Sequence, residues 1–333
     1  MTDFSQPTSP MPEKADATSA SLPQDSPVPA AVPVGGAAFA GVAALAALAS
    51  LALIFLLPRV GGRVTAWRRS IAGLRLLAPA RERSSMLDSI AYAPITRPRL
   101  ALLGSEPWRA AREYVAHKVA PEVRRAPGDG HPVILFPGLG ISGGALAPLC
   151  ERCRLLGYNA VDWGRGYNSG PQGDLYTWLL ALAAHVDRLL APLKQSATLI
   201  GCSLGGLYAR ELAKLRPRRV RQVITFGTPI NAMADHTHVG WVFRLLSGTG
   251  LQFNPALSER LRTPPPLPTT SIYSRADGIV AWQTCLHAHP APQVEDVEID
   301  GSYTGMGWNP ALLAVVADRL AQPVGRWRPY VPQ

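Results

Sequence analysis

With 333 residues, 47% of them apolar, the chain is long enough for one sizeable core plus appendages and too apolar to be disordered throughout. Its four cysteines, Cys150, Cys153, Cys202 and Cys285, are too few for a disulfide-built scaffold, and nothing in them demands an oxidising compartment. The formal net charge of +10 raises nucleic acid as a partner, but the arginines cluster beside an apolar run without interleaved aromatics, a pattern that suits lipid headgroups and not nucleic acid.

Residues 1–33 are rich in Pro, Ala, Ser and Thr and have few large apolar side chains, so a disordered tail is expected. Residues 34–57 carry no charge, and their length fits a helix crossing about 30 Å of hydrocarbon. A long signal peptide and a buried helix are the alternatives. A signal peptide carries positive charge ahead of its apolar core. Here only Lys14 precedes the run, while Asp3, Glu13, Asp16 and Asp25 make that flank acidic. Arg59, Arg63, Arg68, Arg69, Arg75, Arg81 and Arg83 follow it. The positive-inside rule then keeps the following chain on the cytoplasmic side of a bacterial-type inner membrane. Residues 58–129 form a basic juxtamembrane linker with helices. Within it, 64–80 is amphipathic enough to lie along the interface, and a helix is expected over 107–119.

From residue 130 to about 330 the pattern becomes regular. A short apolar run at 133–136 ends in Pro137-Gly138-Leu139-Gly140, which suits a buried strand and a tight loop. A helix near 144–156 carries Cys150 and Cys153 as two unpaired thiols, since no second pair completes a metal site. A strand at 158–163 and an amphipathic helix over 174–193 follow, the latter with Trp178, Leu179, Leu182, Val186, Leu189 and Leu190 on one side. The apolar run at 197–202 leads into Ser203 and a helical pattern over 204–215, and another strand covers 220–226. Strands at 271–273 and 294–299 and a helix near 310–320 complete the alternation, which implies a mostly parallel sheet covered on both faces. The rhythm breaks over 229–270, which holds Trp241, Phe243, Leu251, Phe253 and a triple proline. It reads as a lid over the site or as an ordinary packed surface excursion.

Gly201-Cys202-Ser203-Leu204-Gly205-Gly206 has a strand before it and a helix after it, the context of a nucleophile elbow. On this motif, with HPVILFPGLG at 131–140, SIYSRADGIVAW at 271–282 and GSYTGMGWNP at 301–310, the chain resembles the α/β-hydrolase superfamily, in particular bacterial esterase- and lipase-like members. The resemblance covers roughly residues 130–330 and implies an α/β-hydrolase fold whose 229–270 insertion forms the lid. It also implies Ser203 as nucleophile and Asp277, in the loop after a strand, as the acid. One oxyanion donor would be the N–H of Leu204 at a helix N-terminus, and a second would come from the Gly138–Leu139 loop.

The resemblance fails at the general base. Where the family has histidine in the loop after the last strand, this chain reads Gly301-Ser302-Tyr303-Thr304-Gly305, and no histidine occurs after His289. Tyrosine, with an ordinary pKa near 10, is a poor base at neutral pH. His236 and His238 in the insertion, or His287 and His289, are the candidates for a substitute. Two functions remain open. One is a membrane-anchored serine hydrolase acting on acyl esters or lipid-like substrates. The other is a catalytically impaired pseudo-hydrolase that binds a lipid or a protein partner. No cofactor, metal set or nucleic-acid module is expected.

Overall fold

The computed structural model of the protein describes residues 95–120, 128–231, 255–288 and 291–332. The expected tail at 1–33, the expected span at 34–57 and the arginine cluster after it lie outside the described residues. So do the central part of the insertion, 232–254, and His236, His238 and His289. Among the described residues no helix is long and apolar enough to cross a membrane.

The elements in chain order are α1 (Leu100–Val119), β1 (Pro132–Phe136), α2 (Ala147–Leu155), β2 (Asn159–Asp162), α3 (Leu175–Leu190), β3 (Ala197–Cys202), α4 (Leu204–Leu215), β4 (Val220–Phe226), α5 (Pro255–Arg262), β5 (Thr269–Tyr273), β6 (Val294–Glu298) and α6 (Pro310–Leu320). The described strands form one sheet in the order β2-β1-β3-β4-β5-β6. Every pairing in it is parallel. The order reverses at β1, and in such sheets the crevice beyond the strand carboxyl ends near the reversal is where function is built.

Alternation along the central strands sorts the core. Ile134, Phe136, Leu199 and Val223 pack with Leu182, Val186 and Leu190 of α3 and Leu207 and Leu212 of α4. Val133, Leu135, Ile200 and Ile224 pack on the opposite side with Leu149 and Cys153 of α2 and Leu312 and Val316 of α6. Both sides of these strands are covered, which is why they read as unbroken apolar runs. Cys150 and Cys153 are buried free thiols on α2, and burial pushes the Cys153 thiol up to about 12.

Several element ends differ from the sequence reading, most by one to three residues, and two of the differences have a clear physical cause. The 174–193 helix begins at its cap, with Asp174 accepting from the Thr177 N–H, and ends at Leu190. More consequential is α1, which starts at Leu100 and not at 107. Proline favours a helix start because its missing N–H is an orphan there. Here Pro107 sits inside the helix instead. Tertiary contacts on both sides of the proline offset its local cost: Leu102 backbone lies against Gly278, and Glu106 and Ala110 are buried.

The central position of β3 predicts that Leu199→Ala, which empties a fully buried site between α3 and α4, should destabilise the protein by about 2–5 kcal/mol. Urea unfolding would read this as a lower midpoint at unchanged slope, and a loss under about 0.5 kcal/mol would mean the core is not packed as described.

Candidate active site

Ser203 is the only residue between β3 and α4, and its backbone shows the strain of that turn, with φ at 51° and ψ at −122°. A non-glycine residue held there costs roughly 1–3 kcal/mol and persists only where its surroundings impose it. They do: Ser203 N–H donates to Phe226 O on β4 at 3.1 Å, and the Gly206 N–H donates to Ser203 O at 3.0 Å. The flanking glycines are spacing requirements. A side chain on Gly201 would collide with the backbone of Gly205 and Gly206, and one on Gly205 with the carbonyls of Phe136 and Pro137. Helix α4 thus starts in direct backbone contact with β1 and β3.

The loop after β1 passes over this serine. A Cβ on Gly138 would stand 3.3 Å from the Ser203 Cβ. Neither the Leu204 N–H, at the unsatisfied first turn of α4, nor the Leu139 N–H has an acceptor among the described residues. The Gly138 N–H is instead directed at the Cys202 thiol. A residue with no sequence motif holds the loop in place. Asn168 is fully buried and donates from Nδ2 to Pro137 O at 2.8 Å, while its backbone brackets the loop through Gly140 N–H and Ile141 O. Its Oδ1 accepts from Gly170 N–H and from the Tyr208 hydroxyl of α4.

Asp277 lies in the loop after β5, 4% exposed, and its Oδ1 accepts from the N–H groups of Ile279 and Val280 at 2.8 and 2.7 Å. Burial pushes its carboxyl up to about 8, reinforced by the nearby Glu106 charge and opposed by those two bonds and by Arg109. Tyr303 is half-buried in the loop after β6, and its hydroxyl is within hydrogen-bonding reach of Ser203. Its ring and the Asp277 Oδ2 meet over Gly227, where a Cβ would lie 3.2 Å from the ring and 3.8 Å from Oδ2. Burial above all holds the tyrosine hydroxyl well above its ordinary range, with Asp277 adding to the effect. The structure therefore brings Ser203, Tyr303 and Asp277 to one place at the carboxyl ends of β3, β5 and β6.

Helix α1 completes the site, and sequence reading missed it. Glu106, 3% exposed, accepts from Gly278 N–H at 2.8 Å, Tyr303 N–H at 3.1 Å and Thr304 N–H at 2.9 Å. One turn on, Arg109 donates to the Ala276 carbonyl and lies 3.8 Å from Glu106. Glu113 accepts from Ser302 N–H at 2.7 Å and from its hydroxyl at 3.1 Å, and burial raises its pKa. The acid loop and the tyrosine loop are thus tied to the same helix. The available signal was Glu106 and Glu113 at a spacing of seven with Ala110 between, an inward stripe hidden by the apparent helix start at Pro107.

Among the histidines, His287 is buried away from solvent between Asp296 and Arg210: its Nδ1 lies 2.7 Å from Asp296 Oδ1 and its Nε2 2.8 Å from Arg210 Nη1. Both ring nitrogens are engaged, and this imidazole has no contact with Ser203. His131 is buried between Asp129 and Thr198, and His185 bonds Trp163 O. Among the described residues no group of His, Cys, Asp and Glu side chains is disposed to hold a metal ion.

A family model for the alpha/beta hydrolase fold matches residues 131–257, which include the elbow but not Asp277 or Tyr303. The chain is 30% identical over 137 residues to the pimeloyl-[acyl-carrier protein] methyl ester esterase of Shewanella woodyi, a match covering 40% of this chain and 49% of that protein. It is 31% identical over 102 residues to the enzyme of the same name from a second Shewanella strain, covering 30% and 36%. The chain thus spans half or less of the length of these curated relatives. Solved structures that align with it include a monoacylglycerol lipase of Paleococcus ferrophilus, at 17% identity, TM-score 0.43, covering 60% of this chain and 99% of that one. A thioesterase domain from the curacin biosynthetic pathway aligns at 14% identity, TM-score 0.43, covering 58% and 92%.

The raised carboxyl of Asp277 has a consequence for stability. The native protein holds a proton there that the unfolded chain releases near pH 4, so this group lowers stability progressively as pH rises from about 4 to about 8. Asp277→Asn keeps the accepting oxygen but does not titrate. Its melting temperature should gain on the wild type with each step from pH 5 to pH 8.5, and a difference independent of pH would show the folded carboxyl to be ionised throughout.

Proposed function

We propose that this chain is a membrane-anchored esterase- or lipase-like member of the α/β-hydrolase superfamily acting on acyl esters, with Tyr303 standing where the family places its general base. The observation that carries the reading is the strained Ser203 beside the Gly138–Leu139 loop, with the N–H groups of Leu204 and Leu139 without an acceptor among the described residues. That is the arrangement acyl transfer needs at its reacting carbon and oxyanion. The similarity to two methyl ester esterases supports an ester substrate. The 229–270 insertion is its lid, because its apolar side chains require a surface to cover.

The arrangement supplies orientation and oxyanion stabilisation but little proton transfer. A tyrosine whose pKa is raised by burial is protonated at neutral pH, so it can donate to Ser203 or to a bound ester but cannot withdraw the serine proton. With its carboxyl near 8, Asp277 is itself mostly protonated there and offers no fixed negative charge to a base. Both observations favour a second reading, a pseudo-hydrolase that uses the same pocket to bind a lipid or protein partner. Binding and oxyanion contacts survive the loss of a triad member, so the two readings differ in rate and not in architecture.

Wild-type protein should hydrolyse short p-nitrophenyl esters weakly, and Tyr303→His should raise the rate by up to about 10²–10⁴-fold. The gain should vanish in the Ser203→Ala, Tyr303→His double variant. A folded Tyr303→His protein no faster than wild type, and unlabelled by a fluorophosphonate, would leave only the binding role.

The anchor is residues 34–57, and the soluble part lies on the cytoplasmic face, for the reason of flanking charge: acidic before the run and seven arginines after it. Protease added to sealed, right-side-out cells should spare residues 130–330. Their digestion under those conditions would reverse the topology.

A further inference from the structure

Helix α1 has two faces of opposite character. Its inward face, Glu106, Ala110 and Glu113, holds the loops of Asp277 and Tyr303. Its outward face is apolar. Leu100, Gly104, Trp108, Ala111, Val115 and Val119 recur at spacings of four, four, three, four and four, the repeat that keeps side chains on one stripe of a helix. Leu100 and Val119 are each 75% exposed, Trp108 55% and Val115 58%. Exposed apolar area concentrated in this way on one element marks an interaction surface.

We propose that the outward face of α1 docks onto an anionic lipid bilayer. Charge selects this occupant. Both acids of the helix are buried and engaged by backbone N–H groups, so the exposed ionised side chains from 97 to 119 are Arg97, Arg99, Arg112 and Lys118, all cationic. An apolar stripe with a tryptophan, whose exposed charges on the helix itself are arginine and lysine and beside whose C-terminal end Arg152 accompanies the acidic Glu151, matches the acyl–headgroup boundary of an anionic membrane. Chain order agrees: α1 is the first described element after the uncharged run at 34–57 and its seven arginines. A helix is about 10–12 Å across, so docking holds the Asp277 and Tyr303 loops about one helix diameter from the headgroups. An ester leaving the bilayer would meet the site there. The inference deepens the lipid-like substrate reading and rests on the membrane reading only for bringing the chain to a bilayer.

The test uses the full chain reconstituted in vesicles of phosphatidylcholine and phosphatidylglycerol with brominated acyl chains, which quench tryptophan only on contact. Wild-type emission should be quenched more than that of Trp108→Phe, and the difference should disappear in Val115→Glu, whose charge sits on the same stripe. Circular dichroism of both variants guards against unfolding. Equal quenching in wild type and Trp108→Phe overturns the proposal. So does efficient cross-linking between Val115→Cys chains, which would mean a second copy covers the face. Alkaline carbonate extraction separates the two membrane claims. Protein retained but unquenched at Trp108 keeps the anchor and sinks the docking, whereas protein extracted by carbonate yet quenched beforehand sinks the anchor and keeps the docking.

Discussion

A buried carboxylate needs partners, and Glu106 takes them from the two loops that form one side of the site. Removing its charge from water is costly unless hydrogen bonds replace the lost hydration. The N–H groups of Gly278, Tyr303 and Thr304 do so, with Arg109 beside them. The same three bonds give those loops an address. Without a carboxylate at that point, the buried Gly278 N–H would be orphaned and two more N–H groups would lose their acceptor, leaving Arg109, Glu113 and the Ser274–Gly301 contact to hold the loops of Asp277 and Tyr303. Helix α1, which carries this clamp, precedes the matched family region, 131–257.

Opposite the clamp, the serine is held by backbone. Close contact of α4 with β1 and β3 permits only glycine at 201 and 205 and forces Ser203 into a conformation that other L residues avoid. Asn168 then fixes the loop that faces it. The two halves of the site therefore rest on different forces, backbone packing on the serine side and buried electrostatics on the acid side.

The electrostatic half has a chemical effect beyond position. Glu106 places a second negative group near Asp277, in a spot already dry, and the proton is retained there to about pH 8. In a site with a basic imidazole the acid would be expected to stay ionised opposite a cation. Here the neighbour is a phenol that does not ionise, and a neutral carboxyl opposite a neutral hydroxyl is the self-consistent state.

The order of strands and helices was legible in the residues alone, because a strand buried on both faces and a helix with one apolar side leave different periods in the sequence. The strand at 220–226 and the helices at 204–215 and 310–320 have the extents that reading assigned. Ser203 was legible because the elbow needs glycine at fixed offsets, and Asp277 and Tyr303 because they sit in loops placed by chain order. What tertiary structure decided is everything that depends on distant segments meeting. The start of α1 is one case, where burial of Glu106 and the contact of Leu102 with Gly278 outweigh a proline that locally signals a helix start. Asn168, which has no motif, is another. The charge of Asp277 is the third, since a pKa is set by burial and by Glu106, 171 positions away in the chain but adjacent in space. Periodicity records which face of an element is buried; it carries no record of what that face will meet.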